Sequence, residues 1–320
     1  MEAPKSTIRT IALEAGVTAN TVSLALRGSK LVADQTMAKI LEIAKNQAYI
    51  PNVLAESLRS GKSRTVALIF GNLFNPLFAI KTQKMEHILR TLHYQVLILN
   101  SNEDPAQELE VVETAISRKV DGIVLCPSMV NREPLNILKK HSVPCVLVGR
   151  GFELLQEDTV VWDNEQGGYL ATKHLISQGC TRILHIGGAI HLSASNERYL
   201  GYLRALREEK IEFDERLVIR PSSSNGGILK LLNQIHHPYD GVFAFSDLML
   251  WEAACYVPSS VKMVGFDNIQ SFFATPLNYS SIAGNLEEEA RIVVDLLLRR
   301  IESPGLPIQK VVLPVELVPR

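Results

Sequence analysis

The sequence predicts a small all-α domain followed by an α/β body in two lobes, each a parallel sheet with helices on both faces. Three observations carry this reading. Up to about residue 50, apolar residues recur only at helical spacing. Pro51 then breaks the pattern. From Thr65 onward, short β-branched runs alternate with amphipathic stretches, as strands and covering helices do in a parallel sheet.

The composition agrees. A chain of 320 residues with 46% hydrophobic and 21% charged residues is globular and long enough for two or three cores, which excludes disordered and fibrous classes. The net charge of -1 hides an asymmetry, because residues 1–62 carry eight Lys or Arg against five acids and are net +3 while the remainder is -4. A basic front end points to a polyanionic partner. Cys126, Cys145, Cys180 and Cys255 are scattered singly, with no C-x-x-C pair and no clustered histidines. They read as buried free thiols in a reducing compartment, with no metal site. No apolar run approaches the roughly 18 residues of a membrane span, and the start lacks the apolar core of a signal peptide. The expectation is a cytoplasmic protein with no membrane partner.

Taken in order, Thr7 is placed to cap a first helix through Ala15, Gly16 supplies a turn, and Thr18 caps a second helix. The stretch "ADQTMAKILEIAKNQAY" makes a third. Within "GVTANTVSLALRG" (16–28), Val22 and Leu26 share one face, and Asn20, Ser23, Leu24 and Arg27 gather on the other. That outer face is small and polar except for Leu24, which is expected to be exposed. Capped helices around a glycine turn make a helix-turn-helix, whose second helix fits a DNA major groove. After Pro51, "NVLAESLRSGKS" reads as one or two helical turns entering a linker. Residues 1–50 are thus expected to form the DNA-binding domain, 51–63 a short helix and linker, and 64–320 the body.

The body's strand-like runs are TVALIF (65–70), QVLILN (95–100), GIVLC (122–126), CVLVGR (145–150), TVVWD (159–163), RILHIGG (182–188), LVIR (217–220), GVFAFSD (241–247), KMVGFD (262–267) and KVVLPVELV (310–318). About ten strands suit two sheets better than one. The N-lobe spans about 64–162 and 285–308, and the C-lobe about 163–284 and 309–320. Ligands of such lobes bind beyond the carboxyl ends of the strands.

Nothing marks an enzyme. There is no G-x-G-x-x-G after a strand, no G-x-x-x-x-G-K-[ST], no G-x-S-x-G and no H-E-x-x-H. His174 and His185 sit beside apolar neighbours and read as packed or surface residues. Asp247 and Asp267 each end a strand run, where a carboxylate either caps the next helix or accepts hydrogen bonds from the hydroxyls of a ligand.

On "TIRTIALEAGVTANTVSLALRG", "YIPNVLAESLRSGKS", "NPLFAI", "VVWDNEQGGYLATKHLISQGCTRILHIGG", "RYLGYLRAL" and "VGFDN", in that order, the sequence resembles the lactose-repressor (LacI/GalR) family of bacterial transcription factors over essentially its whole length. The resemblance implies a sequence-specific repressor. Such a protein binds a palindromic operator in double-stranded DNA as a homodimer, and a small-molecule effector of the carbohydrate class switches it allosterically, without any cofactor. It places Thr7, Thr18, Ala19, Asn20, Thr21, Ser23, Leu24, Arg27 and Thr36 at the DNA, with Asn52, Ala55 and Leu58 in the hinge. Asn20 would pair with adenine, and Leu58 would wedge into the minor groove while Ala55 lets two hinge helices approach. Leu24 stands where many members carry arginine or histidine, so a thymine methyl is the expected contact. Met37 replaces a commonly basic residue, Ala33 a hydroxyl cap, and Glu56 sets an acid near phosphates.

The body resembles the type I periplasmic-binding-protein fold, with the effector in the cleft between lobes. The implied effector residues are Asn75, Leu77, Phe78, Arg150, Arg198, Asp247 and Asp267. An Arg and an Asp across an apolar wall suit a neutral polyol. Leu192 and Ala194 stand where some relatives place polar contacts, and Ser222 where an aromatic often stacks. Relatives usually have a longer helix and turn between Tyr256 and Val257, so a clipped helix is expected there. The chain ends without a leucine heptad tail, which favours a dimer over a tetramer. The alternative is a cytoplasmic small-sugar-binding protein without operator binding, against which the basic front end argues.

Overall fold

A computed structural model describes residues 7–50, 61–154, 156–221, 231–233, 235–272 and 279–320. The chain divides into two compact units, Met1–Gly61 and Lys62–Arg320.

In the first unit, α1 (Ile8–Ala15), α2 (Ala19–Leu26) and α3 (Asp34–Asn46) enclose a core of Ile11, Val22, Ala25, Val32, Ile40 and Ile43 with three further alanines. The caps are those the sequence predicts. Thr7 Oγ1 accepts from Thr10 N at 3.2 Å, and Thr10 Oγ1 accepts in return from Thr7 N at 2.9 Å. Thr18 Oγ1 accepts from Thr21 N at 3.2 Å. Gly16 ends α1 with φ 72°, a left-handed conformation that glycine adopts without a Cβ penalty. Lys39 Nζ donates to Ala15 O at 3.0 Å, so a cation meets the orphan carbonyls of α1. Helix α3 starts at Ala33 with no side-chain cap, since a methyl group cannot accept a hydrogen bond.

The second unit runs through β1 (Thr65–Phe70), α4 (Pro76–Thr91), β2 (Gln95–Asn100), α5 (Pro105–Ser117), β3 (Gly122–Leu125), α6 (Glu133–Lys140), β4 (Cys145–Val148) and β5 (Asp158–Trp162). It continues with α7 (Asn164–Ser177), β6 (Ile183–Ile186), α8 (Ser193–Glu208), β7 (Val218–Ile219), β8 (Gly241–Ala244), α9 (Asp247–Ala254) and β9 (Lys262–Phe266). It closes with β10 (Ser280–Gly284), α10 (Leu286–Glu302), β11 (Lys310–Leu313) and β12 (Val315–Val318). Two six-stranded sheets result, ordered β2-β1-β3-β4-β5-β11 and β7-β6-β8-β9-β10-β12. All neighbours are parallel except β10 and β12.

Two details depart from the sequence reading. KVVLPVELV is two strands, not one: Val311 pairs with Val160 in the first sheet and Leu317 with Ile282 in the second. The lobe boundary expected at 309 therefore falls at Pro314, which lacks the N–H a ladder needs and frees the chain to change sheets. Strand β10, SSIAG, has a single β-branched aliphatic residue and escapes propensity, yet it is held between β9 and β12. Helix α9 spans only eight residues and stops at Ala254. Of the cysteines, Cys126 and Cys180 are buried, whereas Cys145 is partly buried and Cys255 exposed, so the expectation of four buried thiols is corrected. His185 is packed as expected, stacked on Tyr199, Tyr202 and Phe243, and burial pushes its imidazole down to about 3.

Helices α7 and α8 cross on glycine. A Cβ on Gly201 would stand 2.0 Å from the carbonyl oxygen of Glu165, and one on Gly168 would stand 2.1 Å from that of Arg198. Backbones can approach this closely only without side chains, which accounts for "EQGGY" and "RYLGY" together.

Candidate functional site

Both sheets reverse their order of growth at one point, between β1 and β3 and between β6 and β8. Loops leaving the strands part there and open a crevice at the carboxyl ends. A cavity lies there between the lobes, at the place where folds of this kind bind small molecules. Asn72 and Asn75 follow β1, Cys126 follows β3, Gly149 and Arg150 follow β4, Phe245 and Ser246 follow β8, and Asp267 follows β9.

Arg198 is the most heavily engaged side chain. Projecting from α8, it donates from Nε to Asn164 Oδ1 at 3.0 Å and from Nη1 to the Phe245 carbonyl. Its guanidinium lies 3.4 Å from the ring centroid of Phe266 and 4.5 Å from that of Phe245, and Nη2 approaches Asp267 Oδ1 at 4.0 Å. Burial lowers its pKa to about 10, with Asp267 opposing the shift, so it stays charged at neutral pH. Burial raises the Asp267 carboxyl to about 6, against the pull of Arg198 and Lys81.

Two further ion pairs complete the wall. Arg150 is gripped by both oxygens of Glu103, at 2.6 and 2.8 Å, and also donates to the Pro127 carbonyl at 3.1 Å. Burial works against its charge, but Glu103 foremost, together with Cys126 and Glu108, raises its pKa. Lys81 reaches Glu289 at 2.9 Å and lies 4.6 Å over the Trp162 ring. Each cation of the wall thus has a carboxylate of its own. Removing one partner leaves a buried charge uncompensated, so Glu103→Ala should lower stability by about 3–5 kcal/mol. Denaturant titration checks this; a loss under about 1 kcal/mol would contradict the burial of the pair.

Of the residues singled out from sequence, Asn75, Leu77, Phe78, Arg150, Arg198 and Asp267 line this cavity, as do Leu192 and Ala194. Asp247 does not. It is fully buried outside the lining, its oxygens taken by Ser281 Oγ at 2.7 Å and Ile269 N at 2.9 Å. The expectation of a ligand contact there is corrected, because α9 begins at this residue and turns its side chain under the β9 terminus while Ser246 faces the cavity. It does not cap α9 either; Ser246 does. Lys81, Glu103, Trp162, Asn164 and Ser246 are lining residues the sequence reading passed over. Lys81 lies one helical turn beyond Leu77 and Phe78, a spacing that could have found it.

In the first unit, Thr7, Thr18, Ala19, Asn20 and Arg27 are exposed, and Thr21 and Thr36 are partly so. Two expectations change. Ser23 is only 5% exposed, and its Oγ accepts from Arg27 Nη2 at 2.8 Å, so the arginine folds back on its own helix. Leu24 is half-buried against the helical core rather than exposed, because α1 and α3 cover more of this short helix than a single stripe. Asn52, Ala55, Glu56, Leu58 and Ser222 lie outside the described residues. Among the described residues there is no group of three or more His, Cys, Asp or Glu that could hold a metal ion. None of the described helices is long and apolar enough to cross a membrane.

Residues 7–52 match the bacterial regulatory proteins of the lacI family, and residues 172–320 match a periplasmic binding protein-like domain. The HTH-type transcriptional repressor PurR of Aliivibrio salmonicida (strain LFI1238) is 28% identical over 312 residues, covering 93% of each chain. The HTH-type transcriptional regulator DegA of Bacillus subtilis (strain 168) is 29% identical over 332 residues, 99% of this chain and 97% of its own. Among solved structures, a complex of the transcriptional regulator CelR with cellobiose has 28% identity and a TM-score of 0.68, covering 98% of both chains. With a helix-turn-helix front end, two parallel-sheet lobes and relatives that are regulators along their full length, the chain belongs to the LacI family of DNA-binding transcriptional regulators.

Proposed function

We propose that this regulator is a cytoplasmic repressor that binds a palindromic operator as a homodimer and is switched by a neutral sugar in the interlobe cavity, which it binds without transforming. The observation that carries the effector class is charge balance. Lys81, Arg150 and Arg198 are matched by Glu289, Glu103 and Asp267, so no net charge awaits an anionic ligand. The carboxylates and amides suit hydroxyl donors and acceptors, and Phe78, Trp162 and Phe245 suit the C–H faces of a sugar ring. Bound sugar would favour one arrangement of the lobes, and that arrangement would set whether the hinge segments around Ala55 and Leu58 pair on DNA.

The front end supplies the reader. Thr7 and Thr18 stand at helix N-termini, where a phosphate meets backbone amides, and Asn20 is exposed in the first turn of α2. The decisive experiment measures binding to the DNA upstream of the protein's own gene, between 50 and 200 mM salt. A loss of at least about a hundredfold over that range is expected from phosphate neutralisation. Sugar binding with no such DNA complex would favour the alternative of a sugar-binding protein. Leu24→Arg should move base preference toward guanine at one symmetric pair of operator positions, worth about 1–3 kcal/mol per contact. Selection from randomised operators reads this directly, and an unchanged preference would remove Leu24 from the base-reading set.

A further inference from the structure

We propose that Asp247, though outside the cavity, positions its acceptor carboxylate: with Ser281 it clamps the turn that presents Asp267. This rests on the reading of Asp267 as a ligand acceptor. The turn needs a clamp because Asp267 holds a φ of 101°, beyond the left-handed region that L-residues adopt readily, and Asn268 follows at 49°. The sheet supplies one anchor, Asp267 N donating to Ile282 O at 2.8 Å. The next two amides are held by side chains. Asn268 N donates to Ser281 Oγ at 3.0 Å, and Ile269 N donates to Asp247 Oδ2 at 2.9 Å. Ser281 Oγ and Asp247 Oδ1, 2.7 Å apart, join the two contacts into one unit.

Position 265 is fitted to the same carboxylate, since a Cβ there would stand 2.0 Å from Asp247 Oδ1. Asp247 also opens α9, whose Ser246, Leu248 and Met249 line the cavity. One side chain therefore ties two walls of the site together. Removing it would orphan two buried partners and leave a strained turn without its constraint.

The charged groups around Asp247 make its protonation state part of the role. Burial and the facing Asp267 raise it to about 8, while Arg320, its hydrogen bonds from Ser281 and Ile269 N–H pull the other way and Tyr279 lies beside it. One oxygen accepts from Ile269 N and the other accepts from Ser281 Oγ. Asparagine keeps both contacts, Oδ1 accepting from Ile269 N and Nδ2 donating to Ser281 Oγ, which still accepts from Asn268 N. Alanine does not.

The test uses the full chain with Asp247→Asn, Asp247→Ala and Ser281→Ala. Hydrogen exchange at the Asn268 and Ile269 amides should speed up at least tenfold in D247A and S281A, relative to Val264, and stay at the wild-type rate in D247N. S281A, which removes one hydroxyl, serves if D247A does not fold. A buried carboxyl raised above its ordinary value loses stability as pH rises toward the raised value. The stability of D247N relative to wild type should therefore grow from pH 4 to 8 and level off above. Among D-glucose, D-ribose, D-xylose and cellobiose, any sugar that binds wild type should bind D247A at least tenfold more weakly. If none binds, the sugar reading of the cavity fails, and the exchange and pH arms still decide the clamp. Unchanged exchange in D247A and S281A, or D247N behaving as D247A does, overturns the proposal.

Discussion

Arg198→Lys will abolish the effector response although the charge is kept. The guanidinium at this site does four things at once: it donates to Asn164, donates to the Phe245 carbonyl, lies over the Phe266 and Phe245 rings, and faces Asp267. A planar fork does this within a single rotamer; an ammonium on a flexible stem cannot stack and cannot span the same acceptors. Loss of at least about a hundredfold in effector affinity is expected, equivalent to about 2.7 kcal/mol. Arg198→Ala should be worse for stability, by about 3–5 kcal/mol, because Asp267 is then buried without its cation. Calorimetric titration with the effector and denaturant unfolding separate the two effects. DNA binding in the absence of effector should persist in Arg198→Lys, since the helix-turn-helix carries its own core. An intact response would remove Arg198 from the site.

How much of this was legible in the sequence differs between the two units. Capping and turn chemistry are local, and so Thr7, Gly16 and Thr18 do what their side chains announce. Strands rich in Val and Ile announce themselves too. SSIAG does not, because what makes it a strand is the pair of neighbours that sandwich it. Leu24 and Ser23 were misplaced for a related reason: periodicity gives the direction of a buried face but not its width, and neighbouring helices widened it. In the body, residues just past strand ends reached the cavity as the crevice rule predicts. Asp247 obeys the same rule in sequence and fails it in space, because three residues beyond β8 a helix has already begun to turn the chain. Lys81 and Glu103 belong to ion pairs whose partners lie far along the chain; helical spacing from Leu77 and Phe78 could have marked the first, and no local pattern marks the second.

Gly168→Ala should disable the site from a distance. An alanine Cβ at this position would stand 2.1 Å from the carbonyl oxygen of Arg198 and 2.8 Å from its carbonyl carbon. Both are backbone atoms, so no rotamer change relieves the clash and α8 itself must move off α7. Overpacking usually costs about 1–3 kcal/mol, and a backbone collision belongs at or above the top of that range. The displaced atoms belong to the residue that carries the guanidinium, so any fraction that folds should also bind effector at least about tenfold more weakly. Gly305→Ala is the matched control, since nothing lies within 4 Å of its Cβ position. A change within about 0.5 kcal/mol is expected there. Denaturant midpoints of the two variants, with and without effector, read both consequences. A Gly168→Ala protein of wild-type stability would mean that α7 and α8 do not cross as closely as their glycines allow.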